Sequence, residues 1–142
     1  MKVPRAAAIM GLADGTTTGA GLSLALYIAH QPHLAVWLAG LSGGLAAFPG
    51  MASGRYQSDP GDGAGGAAVC GAATTLGSVA VALPFAVASG RAALAASGAV
   101  TLALCAVVAV IRPDTGWKAW LLSYGITAAA AGLCIGAGIL TQ

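Results

Sequence analysis

The sequence predicts an all-α integral membrane protein, a five-helix transmembrane bundle in which residues 1–142 form a single transmembrane domain. Three observations predict it. First, 58% of the 142 residues are hydrophobic and only 7% are charged, whereas a soluble domain carries roughly 25% charged residues. Six Lys/Arg and four Asp, with no Glu, cannot cover a water-facing surface, which excludes a soluble enzyme. Second, five apolar stretches, 6–29, 34–54, 64–88, 92–111 and 119–140, each come close to the ~20 residues needed to cross a hydrocarbon core about 30 Å thick. Third, the breaks between them collect the charges and the turn formers.

The first stretch follows Lys2 and Arg5. Asp14 in its middle and the lack of a clear small-x-small cleavage site predict that it stays in the mature protein rather than leaving as a secretory signal. Gly11, Gly15 and Gly19 recur at four-residue intervals and so share one helical face, which allows close approach of another helix. Asp14 lies roughly 12 Å into this helix at 1.5 Å per residue. An acid at that depth costs on the order of 2.5–3.5 kcal/mol to insert and is usually retained for an ion or proton path. Its other reading is a carboxylate that accepts hydrogen bonds from Thr16, Thr17, Thr18 or a neighbouring helix.

The break at 30–33 holds His30 and His33 around Pro32. Pro32 disfavours a regular helical turn, so the two histidines read as exposed loop residues, with metal capture as the alternative. The second stretch ends near Gly50, Met51 and Gly54. Met51 is a soft thioether that suits late first-row metals, or else ordinary packing. The break at 55–62 contains Arg55, Asp59, Pro60 and Asp62. Pro84 should kink the third helix. Gly132 and Gly136 in the fifth repeat the spacing of Gly50 and Gly54, a second and third place for close packing. Cys70, Cys105 and Cys134 lie in apolar runs without metal-ligand spacing and read as small hydrophobes.

With the amino terminus in the cytoplasm, Lys2, Arg5, Arg55, Arg112 and Lys118 are cytoplasmic and only Arg91 is outside, the bias that cells prefer. The carboxyl terminus is then outside. No basic cluster offers a surface for nucleic acid, and no nucleophile and base pair up for catalysis, so no enzyme and no catalytic residue is expected.

Three segments together resemble the vacuolar iron transporter family, including its bacterial members: Gly-Leu-Ala-Asp-Gly-Thr-Thr-Thr at 11–18, Met51-Ala52-Ser53-Gly54-Arg55-Tyr56-Gln57-Ser58, and Ala82-Leu83-Pro84-Phe85. The resemblance implies a homodimer in a bacterial plasma membrane that exports Fe²⁺ or Mn²⁺ from the cytosol in exchange for protons, with no resident cofactor. Residue by residue, it implies that Asp14 and Met51 lie on the metal path at a dimer interface, which the glycine face of the first helix would supply. Arg55 stands where the family has Glu, and Pro49 departs from its pattern. The connection after the second helix has Asp59 and Asp62 as its sole acids, so these two would gather metal from the cytosol. A second reading keeps the fold and the dimer but assigns a binding or regulatory role without transport.

Overall fold

The computed structural model describes residues 5–112 and 116–140. Lys2, residues 113–115 of the last connection and residues 141–142 lie outside them. The described chain is helical throughout, with α1 at Arg5–Ile28, α2 at His33–Ser58, α3 at Gly63–Ala82, α4 at Pro84–Val87, α5 at Gly90–Ile111 and α6 at Trp117–Leu140. A single 3₁₀ turn, Pro60–Asp62, joins α2 to α3.

Four segments are long and apolar enough to cross a membrane: His33–Ser58, Pro60–Val87, Gly90–Ile111 and Trp117–Ile139. The expected five spans therefore reduce to four by hydropathy. Helix α1 has 24 residues, about 36 Å at 1.5 Å each, but Asp14, three threonines and its glycines lower its hydropathy. It is also the helix that packs against α2, α3, α5 and α6 alike. A helix enclosed by others has less need of an apolar surface.

Local chemistry explains where the helices stop. At the end of α1, His30 takes a positive φ of 55°. Its N–H donates to Tyr27 O at 3.1 Å and the Gln31 N–H to Leu26 O at 3.0 Å. That is a Schellman cap, and Pro32 follows it as the chain turns. Helix α2 continues through Pro49 and past Gly54 to Ser58, four residues beyond the expected boundary. Pro60, which cannot continue a helix, begins the next turn. The third predicted span is interrupted at Leu83: Pro84 lacks an N–H, and hydrogen bonding resumes with Ala86 N–H to Leu83 O at 2.9 Å. Gly63 and Gly90, both with φ near 60°, occupy corners that other residues adopt with strain.

Helix α3 sits between α1 and α2. A Cβ on Gly11 or Gly15 would collide with the backbone oxygen of Cys70 or Thr74, and one on Gly19 would lie 2.9 Å from Ser78 Cα. The ladder on α1 thus fits a matching four-residue ladder on α3, in parallel. The face expected to carry a homodimer through the first helix is occupied within the chain. Against α2 the contact is antiparallel, with Gly71 at Phe48, Thr75 at Gly44 and Ala82 at Gly40. Thr75 Oγ1 donates to Gly44 O at 2.8 Å and Ser78 Oγ to Gly40 O at 3.0 Å. Where α1 ends and α2 begins, Val36, Phe85 and Ala93 form a buried cluster flanked by Leu26, Tyr27, Trp37, Ala88 and Leu94.

The two lesser glycine pairs differ from expectation. Gly50, Gly54, Gly132 and Gly136 all face open space, so they bring no helices together among the described residues.

Candidate functional site

Two groups of candidate residues lie toward one end of the bundle. The first is Asp14, half-buried on α1. It is about 100° round the helix from Gly15 and therefore off the seam with α3. Two of the three threonines that could have satisfied it are engaged elsewhere: Thr16 Oγ1 donates to Leu12 O at 2.7 Å, and Thr17 Oγ1 pairs with Thr127 Oγ1 at 3.3 Å. None of the side-chain hydrogen bonds or ion pairs formed among the described residues involves Asp14.

Met51 is half-buried on α2. The two helix registers on α3 bring Asp14 level with Ala73 and Ala46. Met51 then lies about five residues, or roughly 7.5 Å, nearer the end of the bundle where α1 starts. Helical side chains lean toward their own N-terminus. Because α1 and α2 run in opposite directions, Asp14 and Met51 lean toward each other and close part of that gap. The arrangement suits successive contacts along a path better than one closed ligand shell, whose donors all sit ~2.0–2.6 Å from the ion.

The second group is the corner after α2. Arg55 Nη2 donates to Asp59 Oδ2 at 2.9 Å, Arg55 Nε donates to Asp62 Oδ2 at 3.0 Å, and Arg55 Nη2 makes a further ion pair with Asp62. The Arg55 side chain is only 13% exposed, against 46% and 26% for Asp59 and Asp62. Gly66 makes room for this arrangement, since a Cβ there would collide with Asp62. Both acids expected to collect metal therefore already hold a cation, the guanidinium one helical turn beyond Met51.

The sequence reading takes Cys70 for a small hydrophobe. It is buried on α3 beside Gly11, at a level between those of Asp14 and Arg55. Apolar neighbours in sequence concealed it. Only the α1 register, which follows from glycine spacing, shows that it stands between the two groups. At the other end of the bundle His30 and His33 are exposed and line one pocket of about 300 Å³ with Tyr27, Gln31 and Ser89.

Compared with known proteins, the chain matches no family model, no curated protein and no solved structure.

Proposed function

We propose that the chain is a membrane transporter that exports Fe²⁺ or Mn²⁺ from the cytosol in exchange for protons, with Asp14 as the exchanging group. The observation that carries this reading is the Asp14 carboxylate itself, half-buried among packed helices with no hydrogen bond or ion pair among the described residues. A carboxylate in such surroundings is neutralised by a proton or by a cation, and alternation between the two is the chemistry of an antiporter. Met51 and Cys70 supply soft sulfur along the same stretch, which suits Fe²⁺ and leaves Mg²⁺ poorly served. The motif resemblance to the vacuolar iron transporter family supports the same reading.

In this reading the protein sits in a bacterial plasma membrane with its amino terminus in the cytoplasm, and α1 crosses as a fifth span. A second copy docks on an outward face, because Gly11, Gly15 and Gly19 are enclosed by α3. Helix α2 offers such a face, with Leu34, Leu38, Leu45 and Phe48 all exposed.

The Arg55 bridge favours a second reading, a diverged protein that keeps the fold without moving metal. A cation at the mouth of the path repels an arriving ion, and the two nearby acids are engaged by it. Proteoliposomes loaded with a metal-sensitive dye separate the readings. The transporter reading expects uptake that depends on a proton gradient, is abolished by Asp14→Asn with the fold intact, and rises in Arg55→Glu. Wild-type protein that folds but moves neither Fe²⁺ nor Mn²⁺ under any gradient establishes the second reading instead.

A further inference from the structure

Between α1, α5 and α6 lies a cleft of about 500 Å³, within the ~300–1,000 Å³ typical of sites for small molecules. Ser23, Ser97 and Cys105 are buried at its floor, and Gly98, Leu102 and Ala128 are exposed at its rim. It thus opens sideways, toward the surface that these helices present to a bilayer. Its lining on α5 runs from Leu94 to Cys105, about 16 Å at 1.5 Å per residue. Its lining exposes few polar atoms, so it favours hydrocarbon over a polar ligand. Its length and its lining suit a single extended hydrocarbon chain.

One polar group in the lining is unlike the rest. Ser97 Oγ donates to Val81 O at 2.8 Å, Thr101 Oγ1 to Ser97 O at 2.9 Å, and Tyr124 OH to Leu102 O at 3.0 Å. Ser23 is 2% exposed, and its Oγ has no partner among the described residues. It does not bond back to the carbonyl one turn earlier, as Thr16 and Thr74 do. A buried hydroxyl left unpaired costs free energy and calls for an acceptor from elsewhere. Ser23 lies five residues before the end of α1 at Ile28, about 7.5 Å along the axis. With α1 about 36 Å long and the hydrocarbon about 30 Å thick, that is roughly 4–5 Å below the hydrocarbon boundary. Ester carbonyls of lipids begin at that boundary.

We propose that the cleft is a lipid site: one acyl chain of a glycerophospholipid lies along α5 and α6, and its ester carbonyl oxygen accepts a hydrogen bond from Ser23 Oγ, turned about its χ1 bond into the cleft. The lipid comes from the leaflet at the end of the bundle where α1 finishes. The site stands apart from the transport reading, because it uses neither Asp14 nor Met51.

Native mass spectrometry of the purified protein tests this with diacyl phosphatidylglycerol and its dialkyl ether analogue, which lacks the ester carbonyls. Wild type should retain one diacyl lipid per chain. The ether analogue, and separately Ser23→Ala, should each weaken retention roughly three- to tenfold, the worth of one net hydrogen bond. The two changes combined should weaken it no further. Gly98→Phe and Ala128→Phe, which fill the cleft from opposite walls, should lose the lipid while helical content stays at the wild-type level.

Equal retention of ester and ether lipids by wild type overturns the proposal, and this arm needs no variant to fold. Unchanged lipid retention in both phenylalanine variants overturns it too. So does a lipid-free dimer that Ala128→Phe dissociates, which would make a second copy the occupant.

Discussion

Gly11, Gly15 and Gly19 on α1 and Gly125, Gly132 and Gly136 on α6 are equal in number and each set shares one helical face, yet the first three lie against the backbone of α3 and the last three face open space. The difference lies in the partner. Helix α3 presents Cys70, Thr74 and Ser78 at the same four-residue interval, so the ridges of one helix meet the smooth face of the other. Its hydroxyls then reach across to α2 at Gly44 and Gly40. Half of the most apolar 18-residue stretch of the Pro60–Val87 span is buried as a result, against 6% of that of the Trp117–Ile139 span. Helices α5 and α6 are joined instead by a short polar seam: Ser123 Oγ donates to Cys105 O at 3.0 Å, and Cys105 Sγ lies 3.4 Å from Thr127 Oγ1. A small residue is a packing device only where the facing helix is small or polar at the same level. Elsewhere it leaves open surface.

The sharpest way to break this comparison is to add bulk on both sides of it. Gly15→Leu would force a side chain into the backbone of Thr74. Overpacking typically costs about 1–3 kcal/mol and occasionally more, and a backbone obstacle cannot rotate away, so we expect the upper end or loss of the fold. Gly132→Leu, in open space, should stay within about 0.5 kcal/mol of wild type. Unfolding in mixed micelles with increasing dodecyl sulfate measures both, and equal losses would erase the distinction between the two regions.

Interhelical hydrogen bonds should distinguish the regions much less. Thr75→Val on the α2–α3 side and Ser123→Ala on the α5–α6 side each remove one donor to a carbonyl of another helix. Each should cost about 0.6 kcal/mol and no more than about 1.7. A several-fold larger cost on the α2–α3 side would mean that close packing strengthens the bonds it encloses, and would sharpen the comparison.

The smallest effect is expected at the Arg55 corner. With Asp59 nearly half exposed, Arg55→Gln should destabilise only slightly, less than either hydrogen-bond variant, as partly exposed ion pairs do. The loss should shrink as salt rises, because the screening length falls from ~10 Å at 0.1 M to ~3 Å at 1 M. A loss independent of salt would show that Arg55 supports the turn by packing rather than by charge.

Membrane character and the positions of the long helices were legible in the residues themselves. Hydropathy over some twenty residues and the placement of Pro32, Pro60 and Gly90 are local properties, and a bilayer rewards them whatever the neighbours are. The boundary of α2 was misread because Arg55 and Tyr56 look like loop; polar residues extend a helix readily, and Pro60 rather than charge ends this one.

Asp14 was legible as an anomaly, since an acid within an apolar run stands out in one dimension. That it has no partner among the described residues was not, because this depends on where Thr16 and Thr17 send their hydroxyls. Likewise the glycine ladder announced a close contact without naming α3, Arg55 gave no sign of enclosing Asp59 and Asp62, and Ser23 resembled every other serine. Helix faces are periodic and nearly interchangeable in sequence. Which face meets which is decided by the simultaneous fit of all the helices, and that fit exists only in three dimensions.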